Sequence, residues 1–164
     1  MTTDVSQLPQ GDLRLLESEM AQRLLGSSIP ARVAYTGADG TPRAIPIWFE
    51  WTGEEIVMGT FPGSPKVAAL RAQPDVAITI DTDSSPPDVL LLRGKAVVTD
   101  VPGVVEEYAA AAARYLGAGA KPYLRQLERN NATMVRIAVR PTWVGLLDFR
   151  TRMPGTLGGV RQPR

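Results

Sequence analysis

The chain has 164 residues, 44% hydrophobic and 21% charged, with a formal net charge of +1. Those values suit one ordinary globular domain with no electrostatic field to draw nucleic acid. It holds no cysteine and no histidine. This excludes disulfides, thiolate and imidazole catalysis, serine hydrolases with a histidine base, and metal centres built on His or Cys. Carboxylate, Lys, Arg and Tyr chemistry remain, and any redox work falls to a borrowed cofactor. No apolar run is long enough for a membrane helix, and MTTDVSQLPQ lacks the plan of a signal peptide. The expectation is a cytoplasmic protein with neither a membrane nor a nucleic-acid partner.

In chain order, Leu13, Leu16, Met20 and Leu24 fall on one stripe, predicting a helix that Asp12 caps and Gly26 ends. ARVAYT (31–36) alternates as a strand, and Ala38-Asp39-Gly40 reads as a hairpin turn. PRAIPIWFEW (42–51) predicts a second strand and EIVMGTF (55–61) a third. Ser64-Pro65-Lys66 opens a short helix. Strands are expected over Asp75–Thr82 and Asp88–Val101, joined by the proline-broken loop DTDSSPPD. From Pro102 the period becomes helical: Val104, Val105, Tyr108, Ala112, Tyr115 and Leu116 share a face, Glu106 and Glu107 favour the first turn, and Gly117 and Gly119 end it. A short helix over 121–130 and two strands, Ala132–Arg140 and Trp143–Phe149, complete the order.

This is a mainly β chain with a few helices. Six or seven strands joined by tight turns predict an antiparallel sheet closing into a barrel. Residues 1–150 form the expected domain. Residues 151–164, with Arg152, Arg161 and Arg164 among Gly and Pro, read as a flexible tail.

Two segments carry the candidate chemistry. Ser64-Pro65-Lys66 is either an ordinary helix start, with Ser as cap and Pro at the first position, or an anion site. A lysine in the first turn opposes the helix dipole, and a bound phosphate reverses that sign. In Ile45-Pro46-Ile47-Trp48, Pro46 cannot donate to a ladder. The segment therefore lies at an edge, at a bulge, or where a ligand approaches.

Taken together, ADGTPRAIPIWF, GTFPGSPKVAALRAQPDVAITID, LLRGKAVV and VRPTWVGL resemble the pyridoxamine 5′-phosphate oxidase-like split-barrel family over roughly residues 12–150. The closest resemblance is to its branch using FMN or the deazaflavin coenzyme F420. The resemblance implies an antiparallel split β-barrel and a hydride-transferring oxidoreductase for a small organic substrate. A flavin, deazaflavin or tetrapyrrole carrier is the alternative. It further implies that Lys66 meets the cofactor phosphate with Thr60 and Ser64 nearby, and that Ile45, Pro46, Ile47 and Trp48 line the ring. The cofactor would lie at a homodimer interface, with Trp143, Phe149, Arg150 and Arg152 as the positions to close the partner's site. The arginine-rich phosphate motif and the histidine-containing signature of true pyridoxamine phosphate oxidases are missing, which favours F420 while leaving FMN open.

Overall fold

The computed structural model describes residues 5–130 and 133–153. The expectations for 1–4, 131–132 and 154–164, including Arg161, Arg164 and most of the tail, lie outside the described residues.

Seven strands form one sheet in which every neighbouring pair is antiparallel. They are β1 (Ala31–Thr36), β2 (Pro42–Ile47), β3 (Glu50–Trp51), β4 (Ile56–Thr60), β5 (Asp75–Asp81), β6 (Val89–Pro102) and β7 (Thr133–Leu147). The helices are α1 (Glu19–Leu25), α2 (Pro65–Ala72), α3 (Glu106–Leu116) and α4 (Ala120–Asn130). The sheet order is β2-β1-β5-β6-β7-β4-β3, so its two free edges, β2 and β3, are consecutive in the chain. Only Trp48 and Phe49 separate them. Three Cα steps of about 3.8 Å put Ile47 and Glu50 at most about 11 Å apart. The sheet must therefore curl until its edges nearly meet, without hydrogen-bonding to each other: this is a split barrel.

Alternation along the strands fills its interior. β5 reads exposed-buried-exposed-buried, and Val76, Ile78 and Ile80 join Leu90, Leu92, Ile137, Val139, Val144 and Leu146 in the main core. A smaller cluster of Val105, Leu127 and Met134 lies under α3 and α4.

Three local expectations need correction. The predicted N-terminal helix is two pieces, a 3-10 turn over Leu13–Glu17 capped by Asp12 and then α1. Ser18 breaks it with an extended ψ of 147°, and its hydroxyl accepts from the Ala21 amide instead. The stripe therefore does not hold: Leu13 is 47% exposed while Leu15, Leu24 and Leu25 are buried. PRAIPIWFEW is two strands on opposite edges, because the chain crosses the seam at Trp48–Phe49. The last two strands are one, β7, continuous through Pro141. The register with β6 slips there, Arg93 facing Trp143 and Gly94 facing Pro141, so Thr142 is the extra residue of a bulge that accommodates the proline.

Candidate functional site

At the seam a cleft of about 750 Å³ opens between the β2 edge and the end of β4, a size typical of small-molecule sites. One wall is Ile45, Pro46, Ile47 and Trp48, with Pro30 beside it; the other is Gly59, Thr60 and Phe61, and the helices add Lys66, Tyr108 and Tyr123. β2 pairs only with β1, where Pro46 faces Arg32. The proline thus sits on an edge strand, where a missing donor disturbs no second ladder.

Lys66 stands in the first turn of α2, but Ser64 is not an ordinary cap: its side chain makes no capping bond. Its hydroxyl instead accepts from Lys66 Nζ at 2.7 Å. Lys66 makes no ion pair among the described residues, and burial pulls its amine below the ordinary lysine range. A half-buried ammonium with only a hydroxyl for company among the described residues is a poor structural device and a good anion ligand. Thr60 is buried on the same rim.

The opposite end is aromatic. The Trp48 ring stacks on Tyr115 at 5.1 Å between centroids and 10° between planes, and on Tyr108 at 6.1 Å and 28°. Tyr123 meets it edge-on at 6.2 Å. Arg114 fixes this crossing: its guanidinium donates to the Phe49 carbonyl, to Glu50 and, at 2.8 Å, to the Ser27 carbonyl. Tyr115 donates to the Ile29 carbonyl at 3.0 Å.

The structure thus brings Ile45, Pro46, Ile47, Trp48, Thr60 and Lys66 into one cleft, with Ser64 bonded to Lys66. The four positions assigned to partner closure lie elsewhere on this chain. Trp143 carries the Arg93 guanidinium 4.0 Å above its ring and packs on Gly11, where a Cβ would come within 2.8 Å of its indole nitrogen. Phe149 and Arg150 occupy a tight turn folded over Asp148, and Arg152 is buried, donating to the carbonyls of Val5, Ser6 and Leu8. Pro30, Gly59, Phe61, Tyr108 and Tyr123 were not predicted as cleft residues. Tyr108 carried a helical-face signal only, and no local pattern joins it to Tyr123 across two helices.

The cleft fits a planar ring with an anionic appendage: apolar and aromatic walls for the ring, a half-buried cation for the charge. Among the described residues it offers no carboxylate to repel a phosphate. No curated protein sequence matches the chain. Among solved structures, the conserved hypothetical protein Rv2991 from Mycobacterium tuberculosis is similar at a TM-score of 0.63 and 21% identity, over 88% of this chain and 90% of that one. A structure described as an F420 reductase is similar at 0.53 and 25% identity, over 74% and 93%. A heme binding protein from Mycobacterium smegmatis gives 0.58 and 21%, over 85% of this chain and 57% of that one. A family model described as pyridoxamine 5′-phosphate oxidase matches residues 17–148, and the chain belongs to that family.

Proposed function

We propose that the protein is an oxidoreductase that binds coenzyme F420, or FMN, in the seam cleft and serves hydride transfer to a small organic substrate. The observation that carries this reading is Lys66, a half-buried cation without a carboxylate partner among the described residues, at the rim of an apolar cleft. Lys66 and Thr60 would hold the phosphate, and Ile45–Trp48 would lie along the ring. The cofactor supplies the hydride. The chain's residues bind, orient and exclude water. Similarity to an F420 reductase at 25% identity supports the deazaflavin over FMN. We further propose a homodimer, since β2, one wall of the cleft, is an edge strand that pairs with β1 alone among the described residues.

The test is a titration of wild type and Lys66→Ala with F420, FMN and hemin, followed by absorbance, with gel filtration of each mixture. Wild type should bind F420 and run as a dimer. Lys66→Ala should bind about 10- to 150-fold more weakly, the equivalent of a charge-assisted bond worth about 1.5–3 kcal/mol. It should fold as well as wild type, because its removal relieves the opposition to the helix dipole. Equal affinity of the two proteins would return Lys66 to the surface. Tight binding without turnover of any reduced cofactor would make the protein a carrier. An elution volume of a single 17.7 kDa chain would end the dimer.

A further inference from the structure

A second concavity, of about 420 Å³, lies away from the seam, where β5, β6 and β7 are neighbours in the sheet. Its charged lining is Asp75, Arg93, Lys95 and Arg140, and it shares no lining residue with the seam cleft. Three of these four groups are cations. In a chain with a formal net charge of +1, that is a local excess.

The bulge in β7 builds this cluster. Gly94 faces Pro141, so an unbroken register would put Thr142 opposite Arg93; the extra residue puts Trp143 there instead. Cross-strand partners share a face of the sheet, and the Arg93 guanidinium sits 4.0 Å above the centre of the Trp143 ring. The ring face holds the charge by a cation–π contact but offers no oxygen to its N–H donors. Arg93 makes no ion pair and no side-chain hydrogen bond among the described residues. Beside it, a Cβ on Gly94 would stand 2.6 Å from the Arg140 carbonyl oxygen. The two strands therefore approach too closely for a side chain there, which fixes the backbone under the cations. Lys95 and Arg140 are held more loosely. They pair with Asp75 and Glu54, each at 2.6 Å, and all four side chains are at least 64% exposed. Such pairs are weak and exchange readily.

We propose that this concavity is an anion site for a small phosphate monoester, with Arg93 as its principal ligand and Lys95 and Arg140 completing the charge. The lining carries three cations against Asp75, an excess of two. A phosphate monoester brings nearly two negative charges at pH 7 and three acceptor oxygens, whereas a single carboxylate brings one charge. The guanidinium fork matches two phosphate oxygens at once. Its stacking on Trp143 orients that fork before a ligand arrives, so less side-chain freedom is lost on binding. The volume exceeds that of a phosphate group and leaves room for the organic part of the ester. The site goes beyond the hydride-transfer reading and does not depend on it.

The experiment uses inorganic phosphate as the probe and the indole N–H signal of Trp143 in NMR spectra of the cofactor-free protein as the readout. The chain has three tryptophans, and the spectrum of Trp143→Phe assigns the signal. Phosphate should shift it saturably in wild type, while chloride at equal ionic strength should not. Lys66→Ala should respond as wild type does, which separates this site from the seam cleft. Arg93→Gln should bind phosphate about tenfold or more weakly, and Lys95→Gln or Arg140→Gln should lose less. Arg71→Gln removes the same charge from an exposed pair with Asp100 outside the concavity and should match wild type. Equal phosphate affinity of wild type and Arg93→Gln would overturn the site. So would a chloride response equal to that of phosphate, or a response that Lys66→Ala abolishes.

Discussion

The barrel has two sides built on different principles. Along β6 and β7, strands of 14 and 15 residues run antiparallel with their inward faces closed by apolar side chains. At the seam, β3 has only two residues and β2 pairs on one side only. No ladder joins these two edges. Side chains do the work instead, chiefly Arg114 on Phe49, Glu50 and Ser27. The difference explains where the cleft is. A ladder consumes its backbone groups and packs both neighbours tightly, whereas a seam leaves a gap and an edge that a ligand can occupy.

The comparison is broken most severely from the ladder side. Ile137 is 1% exposed, on β7 between Val98 of β6 and Met58 of β4. Ile137→Ala removes buried methylenes from a site that strands on both sides prevent from collapsing, and should cost about 2–5 kcal/mol. Urea unfolding should show the loss, while the folded fraction keeps wild-type cofactor affinity and Trp fluorescence. A variant as stable as wild type would mean that the ladder is not the rigid half.

Arg114→Met sharpens the other half. The Arg114 and Glu50 side chains are 20% and 28% exposed, and Phe49, whose carbonyl would lose its donor, is fully buried. Loss of the pair and of that donor should cost about 2 kcal/mol, less than a fully buried charge because both partners touch solvent. Here the stability loss should come with a shifted Trp48 emission and weakened ligand binding, since the crossing segment is the cleft wall. Unfolding equal to the Ile137→Ala loss with no change in either signal would show that the seam and the cleft are independent.

The same division governs what the sequence made legible. Strand alternation and turn chemistry located β1, β4, β5 and β6 within a residue or two, because each obeys a local period. Pro46 narrowed its segment to an edge, a bulge or a ligand approach for a local reason, its missing donor. Lys66 stood out as a cation against a helix dipole, again a local conflict. The break at Ser18, the crossing at Trp48–Phe49 and the bulge at Thr142 were not legible. Each is decided by what the segment packs against, and PRAIPIWFEW keeps its strand-like composition straight across the seam. The Tyr108–Tyr123 contact joins residues 15 apart on two helices, and Gly59, which makes room for the Tyr108 ring, lies on a third element. Architecture came from periods, whereas the far wall of the cleft came from contacts.

The smallest effect is expected at the hinge between the two halves. Helix α3 grips the seam through Arg114 and the ladder through Glu107, which accepts from Arg136 Nη2 of β7 at 2.6 Å. The bond to Arg136 holds the Glu107 carboxyl below its ordinary value of 4.5. A depressed carboxyl contributes stability that is complete above that value and is lost as pH falls through the lowered one. Glu107→Gln should therefore reduce stability at pH 7 by no more than about 1 kcal/mol, as for other partly solvated pairs. The gap to wild type should narrow as the pH is taken below about 4 and close once Glu107 is protonated in both states. Raising salt should shrink the gap at pH 7 as well, because the pair is partly exposed to screening. Thermal unfolding of the two proteins across that pH range is the measurement. A gap that is constant with pH would assign the Glu107 contribution to packing of its alkyl stem, and would leave Arg114 as the charge that ties α3 to the barrel.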